Sequence, residues 1–511
     1  MASGTLGRRA TRALVAAGVV VMAAAGFGCS RGPRGAIRIA EGSAPSTFDP
    51  HHHNEVVVWS VLCNVCDGLV RFSPRMQVEP SLATSWEQLD ASHVRFHLRP
   101  GVTFHDGSRL TAADVVASFE RARRDPRSGI RHYLVGIERM VAEGELAVTV
   151  ETHGPAPVLL NRLAFLFVVP QGQSREAEIT DPIGTGPYRW AGRRSDRSIT
   201  LEAAGNWRGT PAIHRAVFSF DGDEAIRTES LMAGKLELCD LVDERRIGEI
   251  ERRPDLRLVP QPRLAVQMLV VVPEAGQGPA RGALGDPRVR RALLLAINRD
   301  GLINRFYRGR ATVASQYVHP AVFGYDPDLR EPPHDPAEAR RLLREAGYAS
   351  GFDVTLGHGQ VGPGPLEAIV EDLAAVGVRA VLLPLPLGEL LRQARLGRIP
   401  LVYFARSCTT ADASEFLDSA VHTRDAASGL GNENYSRFSD PDVDQLLDAA
   451  NHELDPGRRL VHLQQAQRRV LAALPILPLT VRWTYLGAAA GLEVEPRDDQ
   501  WLWVAAFRWR K

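Results

Sequence analysis

Short alternating stretches of apolar and polar residues alternate along this chain with longer runs of helical period. Ala36-Ile37-Arg38-Ile39-Ala40 reads as a first strand, apolar at every second position. Val94, Phe96 and Leu98 fall on one face of a later strand and Arg95 and His97 on the other, the pattern of a half-buried antiparallel strand. Helices are marked by their starts. Thr111 with Asp114 forms a capping-box variant ahead of Val115, Val116 and Phe119. Asp286-Pro287, Asp335-Pro336 and Asp440-Pro441 each pair an N-cap with a first-turn proline. Inward positions follow each: Val289, Leu293 and Ile297; Leu342 and Leu343, with Gly347 as the stop; Val443, Leu446 and Leu447. A longer apolar run extends from Val56 to Val70. The pattern predicts an α/β fold with mixed sheets.

The N-terminus follows a different pattern. Arg8, Arg9 and Arg12 precede an apolar run from Ala13 to Phe27, then Gly28-Cys29-Ser30. The run is shorter than the ~20 residues a membrane-spanning helix needs, and its flanks are those of a signal peptide. Residues 1–28 are therefore expected to be an export leader. Cys29 is the expected lipid-attachment residue, and 29–35 a short tether. The stretch 381–391 is interrupted by Pro384 and Pro386 and does not read as a span.

Composition changes this picture little. The chain has 511 residues, 44% of them hydrophobic and 24% charged, as in an ordinary globular protein of several domains. Formal net charge is +1, and removing the leader takes away three arginines and no acids, leaving −2. Nothing in that balance calls for nucleic acid. The basic residues are almost all arginine, with Lys235 and Lys511 the exceptions.

The run LRPGVTFHDGSRLTAADVVASFER at 98–121 resembles the signature of the peptide/nickel solute-binding proteins of ABC importers, the extracellular solute-binding proteins of family 5. Ordered matches continue along the chain: PSLATSW at 80–86, GTGPY at 184–188, NWRG at 206–209, DPRVRRALLLAINRDGLI at 286–303, DPAEARRLLREAGY at 335–348, Asn434-Tyr435-Ser436, DPDVDQLLDAA at 440–450 and LPILPL at 474–479. The resemblance implies a large type II periplasmic-binding-protein fold of two lobes joined by two crossovers, with an inserted α+β subdomain. It divides the chain into lobe I at 36–73, 182–262 and 480–511, the insertion at 74–181, and lobe II at 263–479. It also implies a monomer without cofactor or catalytic residue, in the periplasm or at the cell surface, either anchored by lipid on Cys29 or secreted and free. Such a protein takes a small solute between its lobes and hands it to a permease and its ATPase.

In peptide-binding members a lobe II loop carries a tryptophan and, three residues on, an aspartate that holds the ligand's amine. Counting back from Phe416-Leu417 places Arg406 and Thr409 at those positions, with Asp412 at a second, more structural acid. Thr409 carries no charge to balance a buried ammonium. Arg406 favours a carboxylate or phosphate. Free-amine peptides are therefore expected to bind poorly and anionic or polar solutes better. Two alternatives are that Asp412 takes the amine and that Arg406 is structurally paired. The ligand-contacting set expected from the resemblance is His51, His52, Phe404, Arg406, Cys408, Thr409 and Asp412, with no metal site assigned.

Other constellations are weaker. His51-His52-His53 invites a metal-chelate reading, but three consecutive side chains cannot converge on one ion from one extended segment. Cys63-Asn64-Val65-Cys66, within the Val56 to Val70 run that the resemblance makes a helix, reads as two small buried side chains or one local disulfide. A Cys239–Cys408 bridge is a further pairing to check. No GxSxG, HExxH, phosphate loop or dinucleotide fingerprint stands at a strand–helix junction. Gly357-His358-Gly359 and Gly362-Pro363-Gly364 read as a surface loop. Rival readings are a metal-chelate binder of this fold and a sensory or scaffolding domain uncoupled from transport.

Overall fold

The computed structural model describes residues 35–195, 197–275, 279–359 and 363–510. The leader, Cys29 and the tether up to residue 34 lie outside them.

One mixed sheet of eleven strands runs through both lobes. In lobe I the first strand, Ala36–Glu41, pairs in parallel with Arg215–Phe220 and with Leu238–Cys239. Ile37 and Ile39 are buried, each contributing roughly 1.5–3 kcal/mol by leaving water. Arg38, on the other face, is held by the Glu237 carboxylate. In lobe II, Leu401–Ser407 pairs in parallel with Phe352–His358, which pairs in parallel with Val378–Pro384. The inserted part is a separate four-stranded antiparallel sheet, with Val94, Phe96 and Leu98 buried as their alternation predicts.

Two long strands, Leu256–Val271 and Ile476–Ala489, join the halves. They run antiparallel, Leu256–Pro262 against Trp483–Ala489 and Val266–Val270 against Ile476–Val481, and the register breaks between Pro262 and Val266. Pro260 and Pro262 have no amide proton to give the ladder, so the pairing is thinnest where one lobe passes into the other. Lobe II lies beyond that point on the same two strands.

The capped helices form where the sequence marks them. Thr111 and Asp114 make the box over Ala112–Arg124, with the Thr111 amide donating to the Asp114 carboxylate at 2.8 Å. Asp286, Asp335 and Asp440 accept first-turn amides at 2.8, 2.9 and 3.0 Å.

Two expectations need correction. The run from Val56 is helical only to Leu62; a turn follows, then a strand at Val70–Phe72. Asn64 stops the helix: its amide donates to the Ser60 and Leu502 carbonyls at 2.8 and 2.9 Å, and its oxygen accepts the Val504 amide. Gly357 and His358 end a strand rather than lying in a surface loop, and a helix occupies Pro363–Ala375.

Candidate ligand-binding site

The motif residues of the N-terminal half build scaffold. Gly184 and Gly186 lie so close to the Asn64–Cys66 turn that a side-chain carbon on Gly184 would stand 1.9 Å from the Val65 carbonyl oxygen. Thr185 donates to Asp67 at 2.9 Å, and Arg208 grips the same carboxylate with two bonds of 3.0 Å. All four described cysteines are free: Cys63 is half-buried, and Cys66, Cys239 and Cys408 are buried. The 63–66 motif is thus a packed turn without a bridge.

The histidine run belongs to a buried ionic network. Asp49 is fully buried and receives two bonds from Arg121, at 2.8 and 2.5 Å, and one from the Ile179 amide at 2.8 Å. Burial opposes its charge, but Arg121 and these amides outweigh it and hold its pKa below the usual carboxylate value. His51 contacts the Phe167 carbonyl and Arg121, each at 2.9 Å; burial, with Arg121 beside it, lowers its pKa to about 4. His52 contacts Asp125 at 2.8 Å. His53 packs edge-on against Trp59. The rings serve three different sets of neighbours. Neither His51 nor His52 lines the interlobe cavities below, because Asp49, Asp125 and Arg121 hold them inside the protein.

The lobe II loop is also more committed than the sequence implies. Phe404 packs edge-on with Tyr435. Arg406 forms an ion pair with Glu433 and donates to the Ser419 hydroxyl at 2.9 Å, so its charge is already matched. Asp412 is buried in a two-bond pair with Arg459, at 2.6 and 2.8 Å. Cys408 is 2% exposed and packs in the core, where burial drives its thiol pKa well up. Thr409 lies between the Tyr133 hydroxyl and Glu415, each at 3.1 Å. Glu415 also takes the Thr410 amide and hydroxyl at 2.8 and 2.7 Å. Asn161 of the inserted part donates to the Thr410 carbonyl at 2.7 Å. These contacts tie the insertion to the loop across the gap between lobes.

Two cavities meet along Leu401–Ser407. One, of about 760 Å³, is lined by Tyr403, Phe404, Arg406, Glu415, Glu433 and Tyr435. The other, of about 340 Å³, lies at the crossing strands, with Glu224, Leu241, Val242 and Glu244 on the lobe I side and Tyr307 and Arg308 on the lobe II side. Both include Gln267, Ala405 and Ser407. Gln267 is tied to Thr480 at 2.5 Å and Tyr307 at 3.3 Å, which sets it at the pivot.

The sequence that builds these two lobes and their crossing strands also matches a family model. Residues 77–428 match that of the bacterial extracellular solute-binding proteins, family 5 middle region. The chain belongs to family 5 of the bacterial extracellular solute-binding proteins. It is 28% identical to heme-binding protein A of Haemophilus influenzae over 454 residues, covering 81% of each chain. It is 26% identical to di/tripeptide-binding protein 2 of Pseudomonas aeruginosa over 481 residues, 86% of this chain and 88% of that one. The structure of HbpA2 from Haemophilus parasuis superposes with a TM-score of 0.82 at 24% identity, covering 93% of this chain and all of that one.

In this family 5 protein the expected site residues divide. Phe404 and Arg406 face the 760 Å³ cavity. Asp412 lines a third cavity, of about 820 Å³, with Asn161, His319 and Arg459. Sequence reasoning did not single out Gln267, Tyr307, Glu433 or Arg263 as lining residues. Tyr435 stands in the Asn434-Tyr435-Ser436 motif. The others carry no local signal, because folding alone brings them to the cleft.

Proposed function

We propose that this protein is the exported capture subunit of an ABC importer, taking up a small polar or peptide-like organic solute. The observation that carries this reading is a cleft lined from both lobes at a two-strand pivot, in a chain of family 5. A solute touching both lobes favours the closed form by its extra contacts there, and the closed form is what a permease can distinguish from the empty protein. Members named for heme and for di- and tripeptides match 81% and 86% of the chain, which supports an organic ligand without naming it.

The lobe II cavity supports readmitting amine-bearing solutes. Its acids, Glu415 and Glu433, outnumber its one arginine, Arg406. Glu415 stands beside Thr409 and can supply the carboxylate that Thr409 lacks. Lipid anchoring through Cys29, a monomeric state and delivery to a permease with its ATPase complete the proposal. Native mass spectrometry of the mature protein should find a stoichiometric small molecule, or a di- or tripeptide library should raise its melting temperature. A protein that is empty as purified and indifferent to peptides, glutathione and other polar solutes would end the reading. Cys29→Ser should move the protein from the membrane fraction to the soluble one.

A further inference from the structure

The cavity at the crossing strands is lined by four arginines and two glutamates. Two of those arginines are matched. Arg482 pairs with Glu244 and lies 4.5 Å over the Tyr307 ring. Arg310 pairs with Glu251 at 2.8 Å and lies 5.4 Å over the Tyr485 ring. The other two, Arg263 and Arg308, have no acidic partner among the described residues. Arg263 opens the lobe II part of its crossing strand, within the register break, and Arg308 follows the helix Arg299–Phe306. Both are exposed to the cavity.

The remaining lining acid, Glu224, makes no ion pair with either of them among the described residues. Glu224 is partly desolvated and faces Asp243 and Glu244, which raises its pKa above the ordinary value. Desolvation by the surrounding protein, and then Arg482, lower the pKa of Arg263, while its open side faces the cavity. An arginine does not give up its proton in a protein. Such a cation is relieved by an incoming anion, and its planar donors suit an oxyanion with two oxygens.

We infer that Arg263 and Arg308 form the subsite for an anionic group, a carboxylate or a phosphate, on the captured solute. The inference rests on the capture function proposed above and places the negative end of the ligand at the pivot. The ligand's remaining, neutral or cationic part then extends over Gln267, Ala405 and Ser407 toward Glu415 and Glu433. Closure of the lobes on that anion would draw both sides of the cavity onto one charge.

Trp483 lines the same cavity and is 36% exposed, so its emission reports occupancy. The test titrates the mature protein with inorganic phosphate, with Ala-Ala and with the C-terminal amide of Ala-Ala. Saturable binding of phosphate alone assigns a phosphate group. Preference for Ala-Ala over its amide assigns a carboxylate. Arg263→Gln and Arg308→Gln are each expected to weaken the favoured probe about tenfold, with Arg263→Lys recovering part of the loss. Melting temperatures near the wild type show that the variants are folded. Equal affinity for Ala-Ala and its amide together with no saturable phosphate binding overturns the inference, as does unchanged anion binding in both variants. A neutral solute recovered from the purified protein and bound equally by the variants would keep the capture function while removing this subsite.

Discussion

Arg406 and Arg263 face two cavities that share Gln267, Ala405 and Ser407, yet they differ in one respect. Arg406 has Glu433 against it and Ser419 beside it. Arg263 has no acidic partner among the described residues, and the nearby Arg482 opposes its charge. An arginine in a cleft attracts a ligand's anion only to the extent that the protein has left its charge unmatched. The arginine singled out from the family motif is the matched one, and the arginine without any motif is the exposed charge.

The comparison can be pushed furthest at the buried pair. Asp412→Ala leaves Arg459 buried without an acid and should cost about 3–5 kcal/mol in denaturant unfolding. A loss under 1 kcal/mol would mean that a buried, matched cation in this protein does not depend on its acid.

Asp418 gives the next effect, and it depends on pH. Burial first, then nearby Asp412, raises its pKa to about 7, against the pull of Asn451, Arg162 and His422. An unfolded carboxylate titrates near ~3.9. Between those values the folded state holds a proton that the unfolded chain has lost. The stability this gives is full below the unfolded value and is gone as pH rises through about 7. Asp418→Asn, neutral at every pH, should therefore stabilise by about 1–2 kcal/mol more at pH 8 than at pH 5, allowing for partial solvent screening. Parallel melting curves for mutant and wild type across that range would show Asp418 titrating elsewhere.

Glu433→Gln turns Arg406 into a second Arg263. A stability loss of about 1 kcal/mol is expected for this half-exposed pair, together with new phosphate binding at the lobe II cavity. Calorimetry showing no gain in anion affinity would break the link between matched charge and selectivity.

The smallest expected change is the most discriminating. Arg263→Gln removes a cation whose neighbour is another cation, so unfolding free energy should stay within about 0.5 kcal/mol of the wild type. A large destabilisation would reveal a structural role for Arg263.

Local order was legible because it is written locally. The caps at Thr111, Asp286, Asp335 and Asp440 satisfy amides two or three residues away, and strand alternation at Val94–Leu98 needs only a core on one side. Ordered motifs along the chain were enough to reach the family and the two-lobed fold. The site was not legible in that way. Glu433 reaches Arg406, Arg459 reaches Asp412, Gln267 reaches Thr480, and Arg121 reaches Asp49 across long stretches of chain. Whether a charge is free for a ligand depends on which partner the packed structure brings within hydrogen-bonding distance. Coulomb attraction is strong only at such short range and out of water, and no spacing along the sequence encodes it. Sequence therefore determined the scaffold, and tertiary packing decided which of its charges remained for a guest.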